Sequence, residues 1–409
     1  MSSPGQAGPQ PQYVRGRIVS SGTTLDDGVV AFEGDRIRYA GPASHFDPAG
    51  WHQVDLPAES LLLPGLIDTH CHGAYGGDFS SADEEGARRA AGFLHRSGTT
   101  TVVASAMAGS RDSMLAAVRL LGELSREGVL AGVHAEGPFL SQARRGAQNT
   151  EYLLAPDTGI AAGLVEAAGG HLVSMTYAPE LVGADELVDL LTELGVTPSV
   201  GHTDADAATA AAALVRAADG LARAGLDRYR RRPLVTHLFN AMPPLHHRSP
   251  GAAAACLRAA SAGRAAVELI SDGIHLDPET VLTVFDLVGG ANIVLVSDGM
   301  AATGLGDGGY ELGANDVSVS GGVARVAASG ALAGGTATLL DCVRGAVAAG
   351  VPLETAVSSA SAVPAAALGL AEEAGTLSRG FRADLLVTTG DLALTAVLRG
   401  GRWLDPLPG

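Results

Sequence analysis

The sequence predicts an α/β fold, a (β/α)8 TIM-type barrel with a small β-sandwich domain formed from both termini. Three observations lead there. Across the middle of the chain, short apolar runs alternate with Ala-rich segments of helical length, the pattern of parallel strands joined by crossover helices. The two ends share another texture, of short strands punctuated by Gly and Asp turns. Hydrophobic residues make up 46% of the chain and aromatic ones only 4%, so the core must be built from small side chains in closely packed layers.

At 409 residues the chain has room for a barrel of about 250 residues and an accessory unit. Residues 1–12 are mostly Pro, Gln, Gly and Ser, and a disordered tail is expected there. YVRGRIVS, DGVVAFEGDRIRYAG and residues 51–56 read as strands, as do residues 383–388 and 394–399 near the other end. Neither end is large enough to fold alone, so residues 13–60 and 376–409 are expected to form one composite β domain. Residues 61–375 are left for the barrel. Eight strands are expected there, near 61–70, 100–105, 131–136, 172–177, 196–202, 234–237, 266–271 and 293–297. Helices are expected at 84–96, 113–127, 185–194 and 206–217.

The formal net charge of −17 argues against general nucleic-acid binding or an anionic membrane surface, both of which need basic patches. No window approaches the roughly 18 apolar residues of a membrane span, and MSSPGQAGPQPQ lacks the features of a signal peptide. A soluble cytoplasmic protein is expected. Cys71, Cys256 and Cys342 are few, odd in number and far apart, which does not suit a disulfide framework. All 27 basic residues are Arg. The absence of Lys excludes Schiff-base chemistry, P-loop phosphate binding and a bridging lysine carbamate.

Active sites of such barrels lie at the C-terminal ends of the strands. The first expected strand, in LLLPGLIDTHCHG, ends in His70 and His72, which share a face because residues two apart in an extended chain point the same way. Alone, that pair is as readily structural as metal-binding. The third strand ends in His134 and Glu136, the fifth in His202, the sixth in His237, the seventh before Asp272 and His275, and the eighth before Asp298. One His at a strand end is more often a loop residue than a ligand, and an Asp before Gly more often a turn residue. Four histidines, one Glu and one Asp at the ends of five strands nevertheless match the ligand set of Zn²⁺ and similar divalent metals. His134 shares a strand face with Glu136, and a buried His that supports a metal-binding Glu is one reading of it. Cys71 should face the other way and pack, while His45, His52, His95 and His171 are expected at the surface.

Together the segments PGLIDTHCHG, HAEGPFL, GHTDA, THLFNAMPPLHHRSPG, ISDGIHL, LVSDGM and GTLSRGFRADLLV resemble the amidohydrolase superfamily and, within it, the N-acetylglucosamine-6-phosphate deacetylases. The resemblance implies metal-dependent hydrolysis of the acetamide of N-acetyl-D-glucosamine 6-phosphate. It implies His70 and His72 as ligands of one ion, Glu136 as a ligand able to bridge, and His202 with His237 for the second. Zn is the expected metal, with Fe, Mn or Co as alternatives, and one or two ions. Asp298 is implied as general base and then general acid, and His275 as a hydrogen-bond partner of substrate and oxyanion. Arg248 and the backbone N–H groups of Asn240 and Ala241 are implied as phosphate donors. A homodimer is implied because the corresponding Arg can reach in from a neighbouring subunit. One departure is Gln148, in ARRGAQN, where the family commonly has a His. It keeps open a related amino sugar, such as N-acetylgalactosamine 6-phosphate or an unphosphorylated sugar, as substrate. A cyclic amide hydrolase and a non-catalytic binding protein remain as more distant alternatives.

Overall fold

The computed structural model describes residues 11–227 and 231–405. Most of the expected disordered tail, residues 1–10, lies outside them, whereas Gln12 already opens a strand.

Eight parallel strands form the barrel in sequence order: Leu66–Cys71, Thr99–Met107, Gly132–Glu136, Leu172–Tyr177, Thr197–Val200, Leu234–Val235, Ala266–Leu269 and Ile293–Leu295. The first and eighth close the ring less regularly. Asp298 N–H donates to His70 O at 3.0 Å, His72 N–H to Gly299 O at 2.7 Å, and Ser297 Oγ–H to buried Asp68 at 2.6 Å. Each strand is followed by a helix, respectively Glu84–Arg96, Arg111–Arg126, Thr158–Ala167, Ala184–Glu193, Ala207–Arg223, Gly251–Ser261, Pro278–Val288 and Leu339–Ala348. Side-chain caps explain several helix starts. Asp83, Ser110, Asp157, Asp206 and Asp277 each accept a first-turn N–H, and Thr338 with Asp341 forms a capping box. The barrel core between strands and helices is Ala, Val and Leu, with Tyr177, Phe79 and Phe139 its largest fully buried rings.

The strand expected at 61–70 is two strands. Leu61–Pro64 pairs parallel to Gln12–Ser20 and antiparallel to Leu385–Thr388, and so belongs to the sheet of the termini. Only Leu66–Cys71 enters the barrel. The break is at Gly65, where a Cβ would come within 2.1 Å of Thr100 Oγ1 and 2.8 Å of Asp384 Cβ. The sheet of the termini runs Arg402–Trp403, Leu394–Arg399, Leu385–Thr388, Leu61–Pro64, Gln12–Ser20, Thr23–Glu33, Arg36–Pro42, with His52–Gln53 beside Gln12–Ser20. It curls round its own core of Val14, Ile18, Phe32, Leu62, Leu385 and Leu398. Phe32 and Trp403, far apart in strand order, meet edge to face at 6.1 Å.

A three-stranded antiparallel sheet, Gly308–Leu312, Asn315–Ser320 and Val323–Val326, was not expected from sequence. It follows the eighth barrel strand and packs Leu312, Val317 and Val326 against Met107 and Met300 above the barrel mouth. Gly313 N–H to Asp78 at 2.6 Å and Asn315 Nδ2 to Ala147 O at 2.9 Å tie it down.

Candidate metal centre

The strand ends bring together His70, His72, Glu136, His202, His237 and Asp298, all buried, in two groups of three. His70 Nε2 and His72 Nε2 are 3.2 Å apart, and Asp298 Oδ1 lies 3.4 and 3.2 Å from them. Glu136 Oε1 lies 3.0 Å from both His202 Nε2 and His237 Nε2, which are 3.1 Å apart. Glu136 also stands between the groups, with Oε1 3.6 Å from His70 Nε2 and Oε2 3.4 Å from His72 Nε2.

The tautomers are set from behind. His70 Nδ1 faces Glu268 Oε2 at 3.0 Å, His72 Nδ1 faces Ser105 O at 3.2 Å, and His202 Nδ1 faces Arg144 O at 2.9 Å. Each ring donates N–H to that oxygen, which leaves the Nε2 lone pair aimed at the centre. Neutral imidazole nitrogens so arranged repel one another unless something positive lies among them. Two ligands at 2.0–2.1 Å from a tetrahedral Zn²⁺ stand about 3.3 Å apart, close to the Nε2 separations found here. The charge balance agrees. Burial favours neutral side chains, yet the histidines beside them hold Glu136 and Asp298 well below the usual carboxylate range. Likewise burial lowers His70, but Glu268, Asp298 and Glu136 outweigh it and lift the ring to about 9. The centre therefore demands positive charge, which a divalent cation would supply at neutral pH.

Backbone strain marks the same places. His202, His237 and Asp298 have φ of 47°, 28° and 47°, in the left-handed region that side-chain-bearing residues avoid. Asp298 is further boxed in by Gly334 and Gly335. Gly335 N–H donates to Asp298 O at 2.6 Å, and a Cβ on Gly335 would come within 2.4 Å of Ser297 O.

Above the centre is a cavity of ≈ 230 Å³ lined by His72, Glu136, Gln148, His202, His237, Asn240, Ala241, His275 and Asp298, and roofed by Met107, Leu312, Ala331 and Leu332. His275 is oriented by Asp272, whose carboxylate faces its Nδ1 at 2.8 Å and accepts its backbone N–H at 2.8 Å. Burial lowers His275, but Asp272 and Asp298 prevail and raise it above the usual value.

Several expected residues sit differently. Gln148 lines the cavity, but its amide is engaged: Nε2 donates to Glu136 Oε2 at 2.6 Å and Oε1 accepts from Ala108 N–H at 3.0 Å. It therefore orients Glu136. Asn240 and Ala241 line the cavity, and Asn240 N–H donates to His237 O at 2.9 Å. Arg248 is not brought to the cavity; it lies on an exposed loop beside His247 Nε2 at 2.8 Å. His134 does not support Glu136, because its two nitrogens meet Ser105 Oγ at 2.9 Å and Thr176 Oγ1 at 2.8 Å. Burial and the neighbouring His70 push it well below the usual value, so it is neutral. His95, expected at the surface, is a buried residue in the last turn of the helix Glu84–Arg96. Cys71 is buried and packs, as expected.

Glu268 and Ser105 were missed, and Asp272 was placed at the seventh strand's end without its role of orienting His275. Glu268 carried one signal, as a single carboxylate inside the otherwise apolar run AAVELI.

Residues 61–404 match the sequence model of the Amidohydrolase family. The N-acetylglucosamine-6-phosphate deacetylase of Bacillus subtilis (strain 168) is 32% identical over 397 residues, 94% of each chain. That of Bos taurus is 34% identical over 353 residues, 83% of this chain and 82% of the other. A solved structure of a mutant N-acetyl-D-glucosamine-6-phosphate deacetylase from Mycobacterium smegmatis, in complex with N-acetyl-D-glucosamine-6-phosphate, aligns with a TM-score of 0.87 at 36% identity, over 97% of this chain and 99% of that one.

Proposed function

The chain belongs to the amidohydrolase family, and from that premise we infer that it hydrolyses the acetamide of N-acetyl-D-glucosamine 6-phosphate to D-glucosamine 6-phosphate and acetate. The observation that carries the reaction class is the pair of three-residue groups beneath one cavity, with Glu136 of one standing between them and Asp298 of the other lining the cavity. Relatives matched over nearly their whole length support the substrate.

In this reading His70, His72 and Asp298 hold one divalent ion and Glu136, His202 and His237 the other, with Zn²⁺ suited by the His and carboxylate donors and Fe, Mn or Co as alternatives. Such ions supply Lewis acidity, which lowers the pKa of water towards about 7 and polarises the amide carbonyl. Asp298 takes the proton of the attacking water and returns it to the amine as the C–N bond breaks. Burial opposes its charge, but the neighbouring His72, His70 and His237 hold the Asp298 carboxyl well below the usual range, so it is ionised and has a lone pair free to accept that proton. His275, held by Asp272, donates from its other nitrogen to the substrate or the developing oxyanion. The roof formed by Leu312 and Leu332 limits water.

Among the described residues no Arg lines the cavity, although a phosphate needs donors. That supports a homodimer in which Arg248 of one subunit completes the other's site. No helix among the described residues is long and apolar enough to cross a membrane, and three free, buried cysteines support a reducing, cytoplasmic setting.

The direct test is acetate release from N-acetylglucosamine 6-phosphate by the metal-loaded protein. No release with Zn²⁺, Fe²⁺, Mn²⁺ or Co²⁺ would sink the reading. Asp298→Asn should lower kcat by on the order of 10²–10⁴-fold while the chain still binds metal.

A further inference from the structure

Glu268 projects from the seventh barrel strand, Ala266–Leu269, and is 2% exposed. It is in neither three-residue group, yet it touches one member of each. Oε2 lies 3.0 Å from His70 Nδ1 and accepts the backbone N–H of His237 at 3.2 Å, while Oε1 accepts from Thr69 Oγ1 at 3.3 Å.

The two contacts do different work. At His70 the carboxylate accepts Nδ1–H, so only Nε2 is left to face the centre, and its negative charge makes that nitrogen a stronger donor. At His237 it acts on the main chain. His237 Nδ1 has no hydrogen-bond partner among the described residues, unlike the corresponding nitrogens of His70, His72 and His202. With φ at 28°, the ring is aimed by its backbone, and the backbone N–H is pinned by Glu268.

We propose that Glu268 is a positioning residue that couples the two ion sites, orienting His70 through its ring and His237 through its main chain. The proposal rests on the two-ion reading above. A Gln at this position keeps a carbonyl acceptor but not the charge, whereas an Ala removes both contacts.

The test is a Zn²⁺ and Co²⁺ titration of chelator-stripped protein, reading ions bound per chain and the Co²⁺ absorption spectrum, for wild type, Glu268→Gln, Glu268→Asp and Glu268→Ala. Wild type should bind two ions. Glu268→Gln should weaken one of them by about 10–100-fold and leave the other nearly unchanged. Glu268→Ala should weaken both, and Glu268→Asp should restore part of the affinity. Circular dichroism of the stripped proteins checks folding, and if the Ala variant does not fold, the Gln variant decides. Two ions held at wild-type affinity by Glu268→Gln, with an unchanged Co²⁺ spectrum, would overturn the proposal even where the melting temperature falls. A wild type that binds fewer than two ions would instead overturn the two-ion reading, and the coupling with it.

Discussion

At His202, His237 and Asp298 the chain holds side-chain-bearing residues in the left-handed region, at on the order of 1–3 kcal/mol each. The strain has a use, because a sharp turn right after a strand points the next side chain back over the barrel axis. His70 and His72 need no such turn, since alternation along one strand already puts both rings on one face. Substituting both with Ala should therefore lower the bound metal from two ions to one without unfolding the barrel, as elemental analysis of dialysed protein would show. His95 permits a pH prediction well away from the centre. Burial, with Arg399 and Arg96 nearby, pushes it down to about 3. The unfolded chain's imidazole takes up a proton below about pH 6.5, which the folded one refuses until about pH 3. Its contribution to stability therefore falls as pH drops through that window, by up to about 1.4 kcal/mol per unit. Urea midpoints measured from pH 7 to 4 should fall less steeply for His95→Leu than for the wild type.

Among the elements, the segment at 61–71 shows how an apolar run can mislead. Leu61–Pro64 and Leu66–Cys71 are both fully buried, so neither shows the alternation that would assign it to a sheet. Only the backbone at Gly65, pressed against Thr100, separates them. Gly65→Ala should destabilise by about 1–3 kcal/mol, since an added methyl must displace the second barrel strand or the segment carrying Asp384. Thr338→Ala, which removes a capping-box hydroxyl from Leu339–Ala348, should cost about 1 kcal/mol. Denaturant unfolding of both variants would rank them, and a Gly65→Ala protein as stable as wild type would refute the steric account. The roof sheet at 308–326 was invisible for a different reason. Its strands, such as GGYEL and NDVSVS, are short, polar and largely exposed, so they read as loop.

For the whole molecule, the lack of an Arg among the described residues that line the cavity leads to a subunit-mixing experiment. If Arg248 serves the partner's site, Asp298→Asn and Arg248→Ala chains, each weak alone, should regain about a quarter of wild-type activity when dissociated and reassembled, because half of random dimers then carry one intact site. Separate subunits with self-contained sites would regain nothing. Much was legible beforehand. The eight strands and six of the ring and carboxylate groups at their ends could be read from apolar runs that stop at polar residues. The sequence by itself determined the chemistry on offer, namely His and carboxylate donors without Lys, at the C-terminal ends of parallel strands. Only the tertiary structure decided which donors share a group, that Gln148 serves Glu136, and that Glu268 reaches both His70 and His237. Those are contacts between residues 12 to 198 positions apart, made by the closure of the barrel. Strand periodicity tells which face a side chain is on, but only the closed ring tells which other side chain it meets.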